Sequence, residues 1–126
     1  MKDYNIEYLA SEVVDIAYKI HYSLGPGLLE SVYEVCFCHE LNKREISFST
    51  QKKVPIFYDG IEFKEGLRLD ILIDNKIIVE LKAQENYHSV WESQLLSYLK
   101  LSDMHIGFIV NFNVPLIKQG IKRMVL

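Results

Sequence analysis

Residues 68–82, RLDILIDNKIIVELK, constrain the fold more than any other stretch of the chain. Apolar, largely β-branched residues alternate on both sides of the turn-forming run Asp74-Asn75-Lys76, which predicts two strands joined by a tight turn. Side chains on a strand alternate faces with period two. Leu69, Ile71, Ile73, Ile77, Val79 and Leu81 therefore share one face, and Arg68, Asp70, Leu72, Ile78, Glu80 and Lys82 the other. To keep both apolar sets on one side, Ile73 must face Ile77, Ile71 must face Val79, and Leu69 must face Leu81. This register sets Asp70 across from Glu80, with Cβ atoms about 4.5–5.5 Å apart. A slip of one residue would bury the charged set, so the pattern itself selects the pairing. Two carboxylates and the Lys82 amine are then gathered over a hydrophobic wall.

Like charges directly opposite in a ladder repel, and a divalent cation is the usual remedy. Mg²⁺ binds through one or two carboxylates, with water and substrate phosphate completing its shell. The plainer reading is a solvated strand face on which Lys82 neutralises Glu80. The rest of the chain decides between them.

With 126 residues, 49% of them apolar and 25% charged, the chain suits one globular domain with a sizeable core. No apolar run approaches the ~20 residues of a membrane span, and the opening MKDYNIEYLA has no signal-peptide core. A cytoplasmic protein is the expectation. The net charge of −3 is not the global basic field of a nucleic-acid coating protein. It leaves room for an enzyme with acids round a metal and local basic patches, for which Lys43-Arg44, Lys52-Lys53 and Lys122-Arg123 are candidates.

Ile6, Leu9, Val13, Ile16, Ala17, Ile20 and Leu24 recur at helical spacing. They predict a first helix over 6–24 with Asn5 as N-cap and Gly25-Pro26 as its stop. A second helix is expected over about 28–43, with Glu30 in its first turn, where the macrodipole alone would favour a carboxylate. Cys36 and Cys38 fall about 200° apart round that helix, too divergent to bond each other. Without a second Cys pair or a His at ligand spacing they read as thiols rather than zinc ligands. Residues 47–58 are extended, and Pro55 points to an edge position or an irregularity in this strand. Asp59-Gly60 is a hairpin turn, and Gly66 marks a bend or bulge before the Asp70 strand. A helix over about 89–101, a doubly buried strand over 106–110 and a last strand over 121–125 complete the order α-α-β-β-β-α-β-β. The pattern predicts an α/β three-layer α/β/α sandwich with a mixed central sheet, in a single domain over 1–126.

Asp70 followed by Glu80-Leu81-Lys82, on consecutive strands before a helix, resembles the signature of the PD-(D/E)xK nuclease superfamily. Glu30 on a preceding helix is similar to that fold's helical acid. Gln94-Leu95-Leu96-Ser97-Tyr98 resembles the Q-x-x-x-Y motif of its RecB-type exonuclease branch. Gly27 to Tyr33, GLLESVY, is similar to the motif of the GxxExxY proteins, a small family placed in this superfamily, as are the endings GFIVNF and GIKR. The resemblance spans nearly the whole chain, departing where Leu69 replaces the proline of the superfamily's name. It implies a restriction-endonuclease-like core and a metal-dependent nuclease acting on DNA, less readily RNA. Glu30, Asp70 and Glu80 would hold Mg²⁺ or Mn²⁺; Lys82 would act beside the attacking water; Gln94 and Tyr98 would hydrogen-bond to Lys82, metal waters or phosphate.

Two other readings compete. One is a catalytically silent nuclease-fold module that binds nucleic acid or a partner protein; the other is an oligomer joined through the strand near 54–58, with a homodimer expected. His21 reads as a surface residue favoured by the helix dipole. Trp91 reads as packing rather than base stacking, and Tyr33 as a brace for the helix of Glu30. His88, near a helix start, reads as a substrate contact or equally as an exposed polar helix entry, and His39 and His105 show no partner spacing.

Overall fold

The computed structural model describes residues 4–126. Helix α1 spans Ile6–Leu24 and helix α2 Glu30–Lys43. Strands β1 (Phe48–Tyr58), β2 (Ile61–Ile73) and β3 (Ile77–Lys82) follow, then α3 (Val90–Ser102), β4 (Ile106–Asn111), a 3₁₀ turn at Ile117–Gly120 and β5 (Ile121–Val125). The five strands lie in chain order in one sheet, β1-β2-β3-β4-β5. Only β3 and β4 run parallel, joined by the α3 crossover; the other neighbours are antiparallel. No helix of the described residues is long and apolar enough to cross a membrane.

Two apolar layers sandwich the sheet, as expected of an α/β/α architecture. On one side Leu9, Val13 and Ile16 of α1 and Tyr33 and Phe37 of α2 pack on Ile71, Ile73, Ile77, Val79 and Phe108. On the other, Trp91, Leu95 and Leu99 of α3 pack on Leu67, Leu69, Leu72, Ile78 and Ile109. Strand β4 is buried along its whole length, because helices cover both of its faces. Gly107 lets α3 come close there: a Cβ at that position would lie 2.9 Å from a Leu95 methyl.

The helix ends follow the caps. Asn5 accepts hydrogen bonds from the backbone N–H groups of Glu7 (2.8 Å) and Tyr8 (3.4 Å), and Gly25, at φ 69°, closes α1. Helix α2 starts at Glu30 rather than Leu28 because Gly27, at φ 97°, and the extended Leu29 keep the chain out of the helix until then. Tyr33 is the anchor of this turn. Its buried hydroxyl donates to the carbonyl of Gly25 (2.7 Å) and accepts from the N–H of Leu28 (3.1 Å), while its ring stacks on Phe112 at 4.3 Å. His21 is half-buried and bonds the Val114 carbonyl (2.8 Å), so it ties α1 to the loop after β4 rather than standing on the surface. Cys36 and Cys38 are free, and burial pushes the Cys38 thiol up to about 11.

The β1–β2 hairpin carries the one departure in register. The Asp59-Gly60 turn, both residues at positive φ, joins the strands as expected. Between Val54–Leu67 and Ile56–Phe63 the register slips, so that Lys64, Glu65 and Gly66 oppose Pro55 alone. The bulge expected at Gly66 lies there. A side chain on Gly66 would collide with that of Ile56.

Strand β2 also turns over. Ile71 and Ile73 face the α1–α2 side, yet Leu69 packs under α3 with Leu67 and Leu72. Strict alternation from Ile71 would have kept Leu69 with Ile71. The change of face falls at Asp70, across from Gln51, a non-glycine residue at φ 51° in the middle of β1.

Candidate active site

The change of face opens the sheet where the acids stand. The β2–β3 ladder pairs Ile73 with Ile77, Leu72 with Ile78 and Ile71 with Val79, as the sequence predicts, and stops there. Asp70 and Glu80 do not continue it as a paired rung. Instead each carboxylate accepts a backbone N–H from the other strand. The N–H of Asp70 donates to Glu80 Oε2 (2.9 Å), and the N–H of Leu81 donates to Asp70 Oδ2 (3.0 Å). The carboxylates thus stand in for the missing ladder bonds, and hold each other's strand while doing so.

Burial is the first reason that both are hard to ionise. Glu80 is 6% exposed, and burial followed by the charge of Asp70 pushes it up to about 8. Asp70 is also raised, by burial first, although the Leu81 N–H and Lys82 pull the other way. Glu30, the first residue of α2, is raised by burial and then by Asp70, while Lys82 pulls it down. The three acids therefore feel one another across the split. Among the described residues, no three His, Cys, Asp or Glu side chains form a ready-made cluster of metal ligands. The donor set is nonetheless of the kind a hard divalent cation takes: carboxylate oxygens only, partly desolvated and repelling one another.

Lys82 follows Glu80 by two residues on β3 and shares its neighbourhood. Its ammonium lies over the Trp91 ring, 5.4 Å from the centroid. Among the described residues it has no carboxylate within ion-pairing distance, so the neutralisation of Glu80 by a direct Lys82 salt bridge is absent. Trp91 itself is 6% exposed and packed with Leu95 and Leu99, which makes it a wall of the site and not a stacking platform.

On α3, Gln94 and Tyr98 are one turn apart, and the Gln94 amide donates to the Tyr98 hydroxyl (2.8 Å). Burial raises the Tyr98 pKa, with Glu80 and Asp70 adding to it, so the phenol stands near the acids and keeps its proton. Gln94 is exposed at the rim. The structure thus brings Glu30, Asp70, Glu80, Lys82 and Tyr98 into one neighbourhood, with Gln94 reaching it through Tyr98.

Two residues escaped the sequence reading. Gln51 donates to Glu34 Oε1 (3.0 Å), also hydrogen-bonds the Asp70 carboxyl, and lines the same cleft as Asp70 and Tyr98. Glu34, one turn beyond Glu30, adds its negative charge to both Glu30 and Asp70. Counting back from the Asp59-Gly60 turn through a two-residue bulge at Gly66 would have set Gln51 opposite Asp70. Left-handed backbone at a glutamine inside a strand costs on the order of 1–3 kcal/mol, and such strain gathers at functional sites. Of the three basic pairs marked in the sequence, Lys43 and Arg44 are taken by Glu40, Glu12 and Asp15, and Arg123 by Glu7.

Comparison with known proteins follows the same line. A family model described as the PD-(D/E)XK nuclease superfamily matches residues 7–124. Neither the curated proteins nor the solved structures yielded a match.

Proposed function

Because the chain belongs to the PD-(D/E)XK nuclease superfamily, we propose that it is a divalent-metal-dependent nuclease cutting phosphodiester bonds of DNA. We further assign it to the GxxExxY branch. Each residue of that motif has a task here, since Gly27 makes the positive-φ turn, Glu30 opens α2 towards the acids and Tyr33 anchors the loop. The observation that carries the reading is the opened rung. Asp70 and Glu80 meet inside the sheet at an energetic cost, beside a lysine that makes no ion pair with a carboxylate among the described residues. A structural rung would have no use for that combination.

Asp70, Glu80 and Glu30 would hold Mg²⁺ or Mn²⁺. Such an ion supplies Lewis acidity, lowering the pKa of a water and stabilising charge on a phosphate. Lys82, positioned over Trp91, donates hydrogen bonds to the attacking water and to the charge growing on the phosphate. Tyr98 accepts from Gln94, which leaves its own proton to donate to a phosphate oxygen. Gln51 steadies Asp70 and Glu34 from β1.

Purified protein incubated with single- and double-stranded DNA and RNA should cut at least one of them with Mg²⁺ or Mn²⁺, and none with chelator. Lys82→Ala should abolish cutting while leaving metal affinity and far-UV circular dichroism nearly unchanged. Cutting at the wild-type rate by this variant would remove Lys82 from the chemistry. Salt-sensitive binding without cleavage of any substrate would point instead to a silent binding module. A homodimer would use the outer hairpin, where Phe57, Tyr58, Ile61 and Phe63 are exposed; a sedimentation mass that stays at the monomer's 14.7 kDa as concentration rises would exclude it.

A further inference from the structure

From Asp70 a cleft of about 420 Å³ continues outward along the β1–β2 hairpin. It is lined by Gln51, Lys53, Glu65, Arg68, Asp70 and Tyr98, together with backbone at the bulge. Lys53 stands directly across from Arg68 in the ladder. Two cations facing each other on adjacent strands repel, as two acids would. Glu65 takes the Lys53 ammonium at 2.7 Å, in an ion pair open to solvent. Such exposed pairs are worth about 0–1 kcal/mol, so a stronger anion displaces them easily. Among the described residues, Arg68 has no carboxylate within ion-pairing distance. Its guanidinium is exposed and has the planar fork that matches two oxygens of a phosphate.

The spacing says which phosphate. Arg68 and Asp70 are two residues apart on β2, about 6.5 Å along the strand. That is close to the distance between successive phosphates of one nucleic-acid strand. Resting on the nuclease reading above, we propose that Lys53 and Arg68 form a subsite for the backbone phosphate adjacent to the scissile one. The substrate is then a polynucleotide strand held along the hairpin, and a small phosphodiester does not fill the site. Contacts of this kind fix register without reading sequence. They also set two cations on the path of a polyanionic substrate in a chain whose net charge is −3.

The test is anisotropy of a labelled single-stranded DNA oligonucleotide in chelator, across a salt series, with hydrolysis measured separately in Mn²⁺. Arg68→Gln should weaken binding about five- to tenfold and flatten the salt dependence by about 0.7 in log–log slope, the share of one phosphate on a single strand. Arg68→Lys should keep most of both. Glu65→Gln, which releases Lys53, should tighten binding, and Lys122→Gln on β5 should change nothing. In Mn²⁺, Arg68→Gln should raise KM for the oligonucleotide and leave hydrolysis of bis(p-nitrophenyl) phosphate, which has no neighbouring phosphate, as in wild type. Equal binding by wild type and Arg68→Gln, or equal losses on both substrates, would overturn the subsite while the nuclease reading stands. Arg68-dependent binding without hydrolysis of either substrate would sink the nuclease reading and keep the subsite. Wild-type protein that neither binds nor cuts would end both.

Discussion

Asp70 and Glu80 each carry two burdens, a charge that the interior resists and a backbone N–H that would otherwise lack a partner. An amide oxygen can take over the second burden without the first. Asp70→Asn should therefore melt at or above the wild-type temperature in chelator, a trade of activity for stability common at active sites. With saturating Mg²⁺ the order should reverse, because only the full set of carboxylates gains the stabilisation of bound metal. Four melting curves, two proteins with and without metal, decide it. A variant that melts well below wild type in chelator would make Asp70 a structural residue. At this scale Asp70, Glu80 and Lys82 were legible in the sequence because a two-residue period and a turn sufficed to bring them together. Gln51 was not, because its place opposite Asp70 depends on a bulge whose length no local pattern states.

The segment between α1 and α2 is a small device built from three residues. Gly25 and Gly27 adopt positive φ with open space where a Cβ would sit, so conformation and not crowding selects glycine. Tyr33, a full turn into α2, reaches back and bonds both sides of the loop. Tyr33→Phe keeps the stack on Phe112 and strands two backbone groups, which costs about 1–3 kcal/mol. For a domain of this size the melting temperature should fall on the order of 5–10 °C. Cleavage below that temperature should drop as well, because the loop sets where α2 begins and hence where Glu30 and Glu34 stand. Normal cleavage by a folded but less stable variant would mean that the start of α2 is held by other contacts. Helix α1 was legible to both ends, since its caps are written in Asn5 and Gly25. The start of α2 was not, because Leu28 and Leu29 look helical by pattern and are held out of the helix by the glycine before them.

For the molecule as a whole, element order, the edge position of β1 and the doubly buried β4 could all be read from periodicity and turn chemistry. The face change at Asp70 could not, because alternation is a local rule and the crossing from one apolar layer to the other is settled by packing on α3. This crossing leaves the seams of the sheet unequal. Strands β3 and β4 pair from Ile77–Ile106 to Lys82–Asn111, and the hairpin pairs from Phe48–Ile73 out to Tyr58–Ile61. Between them β2 and β3 share only the short ladder from Ile73–Ile77 to Ile71–Val79. Proteins open in cooperative units whose boundaries fall where bonding is thinnest. Native-state hydrogen exchange should then find the amides of β1 and β2 opening together, at lower free energy than those of β3 and β4. Divalent metal, which Asp70 of β2 and Glu80 of β3 would hold, should narrow the gap, and Glu80→Ala should widen it. A single opening energy for the whole sheet would contradict this. The seam at which the reaction is placed is also the most thinly bonded between the two longer ladders, so whatever binds there would act as a clasp between the two halves of the sheet.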